Sequence, residues 1–385
     1  MKDKISEMKE VEFDRSCVLI DLDAVRFNYR QIKALTKDST DMFCVVKADA
    51  YGHGAVKLAK VLEEEGAAGF CLATVDEAKD LALSGITRPL MILGFTSPDR
   101  FPDIVKYGIG QAVYTMEDAR LLSEEAVKQG KDCKIHIKID TGMGRIGFKT
   151  DGSADDEIVE IFKLPGLVPE GIFSHFAVSD TGDDEYTNKQ FGIYKDMVER
   201  LENKGVKFTR HHICNSAGIM RFPEMHLDTV RAGLILYGMY PEGCPDRDKM
   251  PDLKPVMTWL AKVIFVKDIP EGATVSYGRH FTADKKTRVA TVGIGYADGF
   301  SRRLSNGFML NIKGQKYPII GNVCMDMCMA DVTGSDIKRG DIVEIFGEGN
   351  PSDNLSSYIG TINYEITCDV GKRVKRLYLE DGKLL

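Results

Sequence analysis

Through the first two-thirds of the chain, short apolar runs alternate with amphipathic stretches. The runs are Phe43–Val46, Gly69–Ala73, Leu90–Leu93, Gln111–Tyr114, Lys134–Ile139, Gly171–His175, His212–Cys214 and Leu234–Tyr237. Between most of them lie Ala55–Glu65, Val75–Leu83, Met116–Gln129 and Asn188–Lys204, whose apolar residues recur at spacings of three and four. That period predicts helices with one buried face. A further helix, Ala24–Thr36, precedes the first strand, with Asp21 or Asp23 to cap it. The alternation points to parallel strands. Eight repetitions favour a closed (β/α)8 barrel of the TIM type over a doubly wound open sheet, which shares the alternation.

After Gly238 the texture changes. Tyr240–Pro255 is rich in proline, glycine and charge, as a linker is. Beyond it come β-branched or alternating runs at Ala261–Val266, Thr287–Val292, Phe308–Ile312, Tyr317–Ile320, Met325–Val332 and Ile342–Phe346. Glycine, asparagine and aspartate punctuate them, and Asn306-Gly307 is the clearest hairpin signal. The predicted architecture is an N-terminal barrel over residues 20–240 and an all-β domain over 241–385, joined by the N-terminal strand region 1–19.

Composition narrows the function. The 385 residues suffice for two domains, and a hydrophobic content of 43% with 28% charged residues describes an ordinary soluble protein. A net charge of −7 with scattered lysines and arginines argues against a nucleic-acid partner. Met1–Arg15 is charged and lacks an apolar centre, unlike a signal peptide, and no apolar run approaches membrane-spanning length. Nine cysteines without a framework pattern suit a reducing cytoplasm. Cys324 with Cys328, and His211, His212 and Cys214, lack a second ligand pair at a recognisable spacing, so no metal site is expected.

The chemistry centres on Val45-Val46-Lys47-Ala48-Asp49-Ala50-Tyr51-Gly52-His53-Gly54. Lys47 ends an apolar strand, where desolvation favours the neutral amine and a rigid backbone aims it, as Schiff-base chemistry requires. An apolar strand followed by a charged loop residue is also commonplace, so the rest of the chain decides. Chemistry in such a barrel sits at the C-terminal strand ends. Arg145 falls in the glycine-rich loop after strand five, His175 at the end of strand six, Asn215 and Ser216 after strand seven, and Arg231 and Gly233 at strand eight. Each has a bland reading: Arg145 as a surface residue, His175 as a core histidine, Ser216 as a helix cap. Their joint placement on one rim favours chemistry. Ser216 and Gly233 also occupy the usual phosphate position of such barrels. A Schiff-base lysine, a phosphate site and cationic groups together describe pyridoxal phosphate held in a barrel.

These residues carry a resemblance. The chain resembles bacterial alanine racemases along nearly its full length, on Val46–Gly54, Lys138–Gly147, Asn215-Ser216, Arg231 with Gly233, Val275–Gly278, Gly295–Gly299 and Cys324–Asp326. The resemblance implies an isomerase that interconverts L- and D-alanine for peptidoglycan synthesis. It implies that Lys47 binds pyridoxal phosphate and serves as one base, and that Tyr277, from a partner subunit, serves as the other. Tyr51, Ser216, Gly233 and Leu234 would hold the phosphate, His175 and Arg231 would form a cationic network that makes the Tyr277 phenolate accessible, and Arg231 would also face the pyridine nitrogen. Arg145 and the partner-supplied Met325 would meet the substrate carboxylate. Lys138 matches a lysine carbamylated in some members, and Tyr296 one that lines the substrate channel. A homodimer with shared active sites follows.

One departure concerns substrate breadth. Lys372 stands where well-known members place a phosphate-contacting tyrosine, and Lys375 replaces a proline common there. A racemase of serine or of a broader set of amino acids is therefore the rival within the class. A basic-amino-acid decarboxylase needs an acidic partner for the pyridine nitrogen, against Arg231. A non-enzymatic pyridoxal-phosphate carrier would leave everything past Gly238 unexplained.

Overall fold

The computed structural model describes residues 13–245 and 247–385. Most of the charged N-terminal stretch, residues 1–12, lies outside the described residues, as does Asp246 in the linker. The chain forms two compact units. One comprises Val25–Ala50 and Gly54–Lys254; the other comprises the residues up to Ala24, Tyr51–His53 and Pro255–Leu385.

The strand Ser16–Asp21 (β1) belongs to the second unit. The first is built on β2 (Asp41–Val45), β3 (Gly69–Leu72), β4 (Leu90–Ile92), β5 (Gly110–Val113), β6 (Cys133–Lys138), β7 (Leu167–Phe173), β8 (Arg210–His212) and β9 (Thr229–Ala232). Their order, β8-β7-β6-β5-β4-β3-β2-β9, is an eight-stranded parallel sheet. A bond from Arg231 N–H to Cys214 O at 3.1 Å bridges its two ends, so the barrel is nearly closed. Four of the eight, β3, β4, β5 and β9, are buried along their full length, as parallel strands covered on both faces are.

The helices form where period and caps agree. Val75–Leu83 buries Val75, Ala78 and Leu81, and starts on a capping box in which Thr74 Oγ1 accepts Glu77 N–H while the Glu77 carboxylate accepts Thr74 N–H. Met116–Gln129 starts on Thr115 and stops at Gly130, whose φ of 62° suits glycine. Burying one leucine such as Leu81 or Leu122 stabilises this layer by about 1.5–3 kcal/mol. The helix predicted at Ala24–Thr36 runs Leu22–Lys33, and Asp21 accepts Ala24 N–H at 3.0 Å.

In the second unit β1 pairs antiparallel with β10 (Met257–Ile269) and parallel with Lys375–Glu380, inside a nine-stranded sheet. Trp259, the only tryptophan, faces Val18 in that register and meets Phe300 and Phe346 edge-on. Its Nε1–H donates to Ser16 Oγ at 2.9 Å.

Three expectations are corrected. The eighth barrel strand is Thr229–Ala232, and the apolar run Leu234–Tyr237 is a turn of 3-10 helix after it. Arg231 therefore lies within the strand and Gly233 beyond its end. Asn306-Gly307 is a turn leading into Met309–Ile312, whereas the hairpin to Gln315–Pro318 is made by Lys313-Gly314, with φ of 54° and 81°. Two positive φ values match the right-handed twist of the strands they join. Finally, Met325–Val332 is strand only from Cys328 to Asp331, so Met325 and Asp326 sit in a loop.

Candidate active site

Lys47 follows β2 at the C-terminal end of the barrel. The backbone turns sharply behind it: Ala48, Asp49 and Ala50 have φ of 53°, 52° and 54°, and Tyr51 continues at 53°. A left-handed turn of non-glycine residues costs roughly 1–2 kcal/mol per residue, so fixed partners must hold it. Glu77 supplies one of them: Oε1 accepts Ala48 N–H at 2.7 Å, while Oε2 accepts Ala73 N–H at 2.9 Å. Asp49 Oδ1 accepts Ala55 N–H at 2.7 Å and so caps the next helix.

Arg231 lies at the centre of the rim with 3% of its surface exposed. Its Nη1 donates to His212 Nδ1 at 2.8 Å; its Nη2 donates to Ser174 O at 2.8 Å, to Ile213 O at 3.0 Å and to His175 Nδ1 at 3.3 Å. The guanidinium stands 5.4 Å over the Phe173 ring, which stacks on His212 at 4.9 Å. Burial holds His175 neutral, well below the ordinary histidine range, reinforced by Arg231, Arg145, Lys138 and Lys47. The largest charges facing this imidazole are thus all cationic.

Removing the Arg231 guanidinium would strand His212 Nδ1 and two buried carbonyls. Arg231→Ala is expected to lose about 3–5 kcal/mol of stability, read as a lower urea midpoint at unchanged slope.

Lys138, at the end of β6, is 2% exposed and donates to Ile139 O at 2.6 Å. Burial, with Arg231 next, pushes its amine down to about 7. Below that pH the folded lysine carries a poorly solvated charge. From about 7 to the unfolded value of 10.5 only the unfolded chain is protonated, so stability rises with pH over this window. Unfolding titrations from pH 6 to 10 should show this slope in the parent and not in Lys138→Met.

Ser216 opens the short helix Ser216–Arg221 behind its cap Asn215. Its Oγ accepts Gly233 N–H at 3.1 Å, a bond that does not use the hydroxyl proton. Leu234 follows, buried at the start of the 3-10 turn. Arg145 is exposed in the glycine-rich loop, with Lys138 and His175 as electrostatic neighbours.

The remaining predicted residues lie in the second unit. Tyr277 starts a one-turn 3-10 helix and is 74% exposed, and its carbonyl accepts from Asn322 Nδ2 at 2.7 Å. Ser276 Oγ donates to Asn322 O at 2.7 Å and lies 3.5 Å from Cys324 Sγ, so the Tyr277 and Met325 loops are tied together. Met325 is 52% exposed, yet its loop is firmly held. Buried Asp298 accepts Arg15 at 2.8 Å and Arg373 at 2.7 Å, and Arg373 reaches on to Asp326 at 2.7 Å. Arg15 Nη1 donates to Asp326 O at 2.9 Å. Ala297 N–H donates to Met325 O at 3.0 Å, beside the exposed Tyr296. Tyr51 packs near Tyr364 with ring centres 6.3 Å apart. At Gly52 a Cβ would meet Thr367 O at 2.1 Å, and Arg376 joins Gly52 O to the carbonyls of Val370, Gly371 and Val374. That same segment presents the exposed Lys372.

Comparison with known proteins gives a consistent result. The family model for the alanine racemase N-terminal domain matches residues 20–241, and that for the C-terminal domain matches 256–378. Alanine racemase from Clostridium tetani is 44% identical over 372 residues, covering 95% of this chain and 96% of the relative. The solved alanine racemase of Clostridium difficile 630 superposes with a TM-score of 0.94 at 41% identity, covering 97% of each chain. The chain belongs to the alanine racemase family. A further member, from Bartonella henselae, is 30% identical with a TM-score of 0.85 over 95% of this chain and all of that one, and was solved with covalently bound pyridoxal phosphate.

Three further residues bear on Arg231: His212, His136 and Glu170. The signal for the two histidines is a polar residue inside an apolar run, whereas Glu170 just precedes the run Gly171–His175. Among the described residues no group of three or more His, Cys, Asp or Glu is placed to hold a metal, and no helix is long and apolar enough to cross a membrane.

Proposed function

We propose that this chain racemises alanine with pyridoxal phosphate by a two-base mechanism, and that it supplies D-alanine for peptidoglycan. The cationic groups that act on His175, Arg231 within β9, Arg145 in the loop after β6, Lys138 at the end of β6 and Lys47 behind β2, carry the reading. A cluster of that sign, partly out of water, suits a ligand bearing phosphate and carboxylate. The donor set fits the cofactor: an amine on a strand end, a hydroxyl donor at Ser216, a nearby short-helix start at Gly233 and Leu234, and a guanidinium with no acceptor atom.

Pyridoxal phosphate, when bound, withdraws electrons from the amino acid's α-carbon and acidifies its α-proton. Lys47 would hold it covalently and take or return that proton on one face, and Tyr277 of a partner subunit would do so on the other. Tyr51, Ser216, Gly233 and Leu234 would bind the phosphate. Arg231 would donate to the pyridine nitrogen and, never losing its own proton, leave that nitrogen unprotonated; neutral His175 lies beside it. Arg145, a fork-shaped donor, and the partner's Met325 N–H would orient the substrate carboxylate. With its amine at about 7, Lys138 is half neutral at pH 7; that form can attack carbon dioxide with release of a proton, and the carbamate anion would replace a repulsive neighbour of Arg145 by an attractive one.

The exposure of Tyr277 and Met325 on linked, anchored loops supports a homodimer in which each subunit lends these residues to the other. In this division residues 20–240 carry the cofactor and 241–385 lend the second base. Cys17, Cys44, Cys71, Cys133, Cys214 and Cys328 are buried thiols outside any disulfide, which suits a reducing cytoplasm.

The test is turnover by the cofactor-loaded protein in deuterium oxide with alanine and with serine. Alanine of either hand should give both enantiomers with deuterium at the α-carbon, faster than serine. Poor alanine turnover beside good serine turnover would assign the broader substrate range that Lys372 permits.

A further inference from the structure

A chain of polar side chains runs through the barrel away from the rim. Beyond the Arg231–His212 contact, His212 Nε2 lies 3.1 Å from His136 Nδ1, and His136 Nε2 lies 3.5 Å from Glu170 Oε2. His136 and His212 are 1% and 0% exposed. The other oxygen of Glu170 is occupied, by Lys134 Nζ at 3.0 Å and more distantly by Arg210 Nε at 3.9 Å. Glu170 is the middle residue of β7 and lines a cavity of about 270 Å³ together with His136, Lys134, Phe43 and Arg88.

The backbone is shaped for this contact in two ways. The β6–β7 ladder pairs Ile135 with Pro169 and then His136 with Gly171, so Glu170 is the extra residue of a bulge. Bulges re-aim a side chain at the cost of ladder bonds. At Gly171, a Cβ would lie 2.3 Å from His136 Nδ1, so only glycine leaves room for the ring.

Donor logic gives the chain a direction. Arginine has no acceptor, so His212 Nδ1 must be bare when it meets Arg231. A neutral His212 then carries its proton on Nε2 and donates to His136 Nδ1. His136 in turn carries its proton on Nε2, which faces Glu170 Oε2 at 3.5 Å. Burial keeps both imidazoles neutral, and the bond from His136 leads the groups that hold the Glu170 carboxyl down at about 2. The charged groups around the chain are Glu170, Lys134 and Arg210 at one end and Arg231 at the other; His211 lies beside His212 and is paired with Asp228.

We propose that Glu170, acting through His136, is a positioning residue that selects the Nε2–H tautomer of His212 and so holds the Arg231 guanidinium in place. If His212 carried its proton on Nδ1, two N–H groups would face each other and Arg231 would have to turn away. The tautomer is a property of this chain alone; only its effect on turnover rests on the role given to Arg231 above.

The experiment is nitrogen NMR of the histidine-labelled, cofactor-loaded protein, with His136 and His212 assigned by substitution and turnover measured across pH in the same samples. The parent should show one neutral Nε2–H tautomer at both residues between pH 6 and 8.5. Glu170→Leu should mix the tautomers and lower kcat by about tenfold to a hundredfold, the scale of a displaced active-site support, with KM little changed. Glu170→Gln, whose amide oxygen still accepts, should keep both signals and most of the activity. Gly171→Ala, which leaves Glu170 in place, should reproduce the mixed tautomers and guards against a poorly folding leucine variant. A single His212 tautomer in both Glu170→Leu and Gly171→Ala would overturn the proposal. Mixed tautomers with unchanged turnover would overturn the positioning role if Arg231→Lys lowers turnover. If Arg231→Lys also leaves turnover unchanged, the fault lies in the role given to Arg231, and the tautomer selection stands.

Discussion

Lys47→Ala is expected to lower racemisation by at least about ten-thousandfold, because one substitution removes both the covalent anchor and one of two bases. Loss of a single base alone costs roughly a hundredfold to ten-thousandfold. Borohydride reduction of the loaded parent followed by peptide mapping should find the pyridoxyl group on the Lys47 peptide and on no other. Added primary amine should restore part of the activity of Lys47→Ala, since a free amine can take the proton that the lysine took. The fold should survive, because Glu77 and Asp49 hold the left-handed turn behind Lys47. Racemisation in Lys47→Ala at a rate near the parent's would overturn the anchor assignment.

Tyr277→Phe should separate the two faces of the reaction. A tyrosine hydroxyl can take and return a proton at its oxygen, and phenylalanine cannot act at all. Racemisation should fall roughly a thousandfold. The α-proton of one enantiomer should still exchange with deuterium oxide through Lys47, while that of the other should not. Proton NMR of each enantiomer incubated separately measures this directly. Persistence of racemisation at the parent rate would sink the two-base assignment. The substitution leaves the hydrogen bond from Asn322 to the Tyr277 carbonyl, so the loop should keep its shape.

Much of this protein was legible from order and period. The alternation of apolar runs with amphipathic helices predicts a barrel, and the Gly- and Asn-punctuated runs after Gly238 predict a β unit, because burial imposes its period on sequence directly. Lys47 stood out for a related reason: a cation terminating an apolar run is a local feature. The errors share a different cause. Leu234–Tyr237 is apolar enough for a strand, yet the ladder runs through Thr229–Ala232, which carries an arginine. Arg231 is tolerable there because Ser174, Ile213 and His212, all remote in sequence, accept its hydrogen bonds. The hairpin went to Lys313-Gly314 because cross-strand pairing decided the register, and the stronger turn signal at Asn306-Gly307 was spent on another bend.

What the sequence by itself determined is the set of chemical groups and the two kinds of unit that carry them. Residue type and spacing are local quantities, and they set strand, helix and the reactive amine. Only the tertiary structure decided which groups share an environment. The cationic groups that act on His175 and the line from Arg231 through His212 and His136 to Glu170 bring together side chains from separate parallel strands and the segments after them. A bulge at Glu170 and the missing side chain of Gly171 set that line. Their partners are chosen by ladder register and by space at angstrom scale, which no periodicity along the chain encodes.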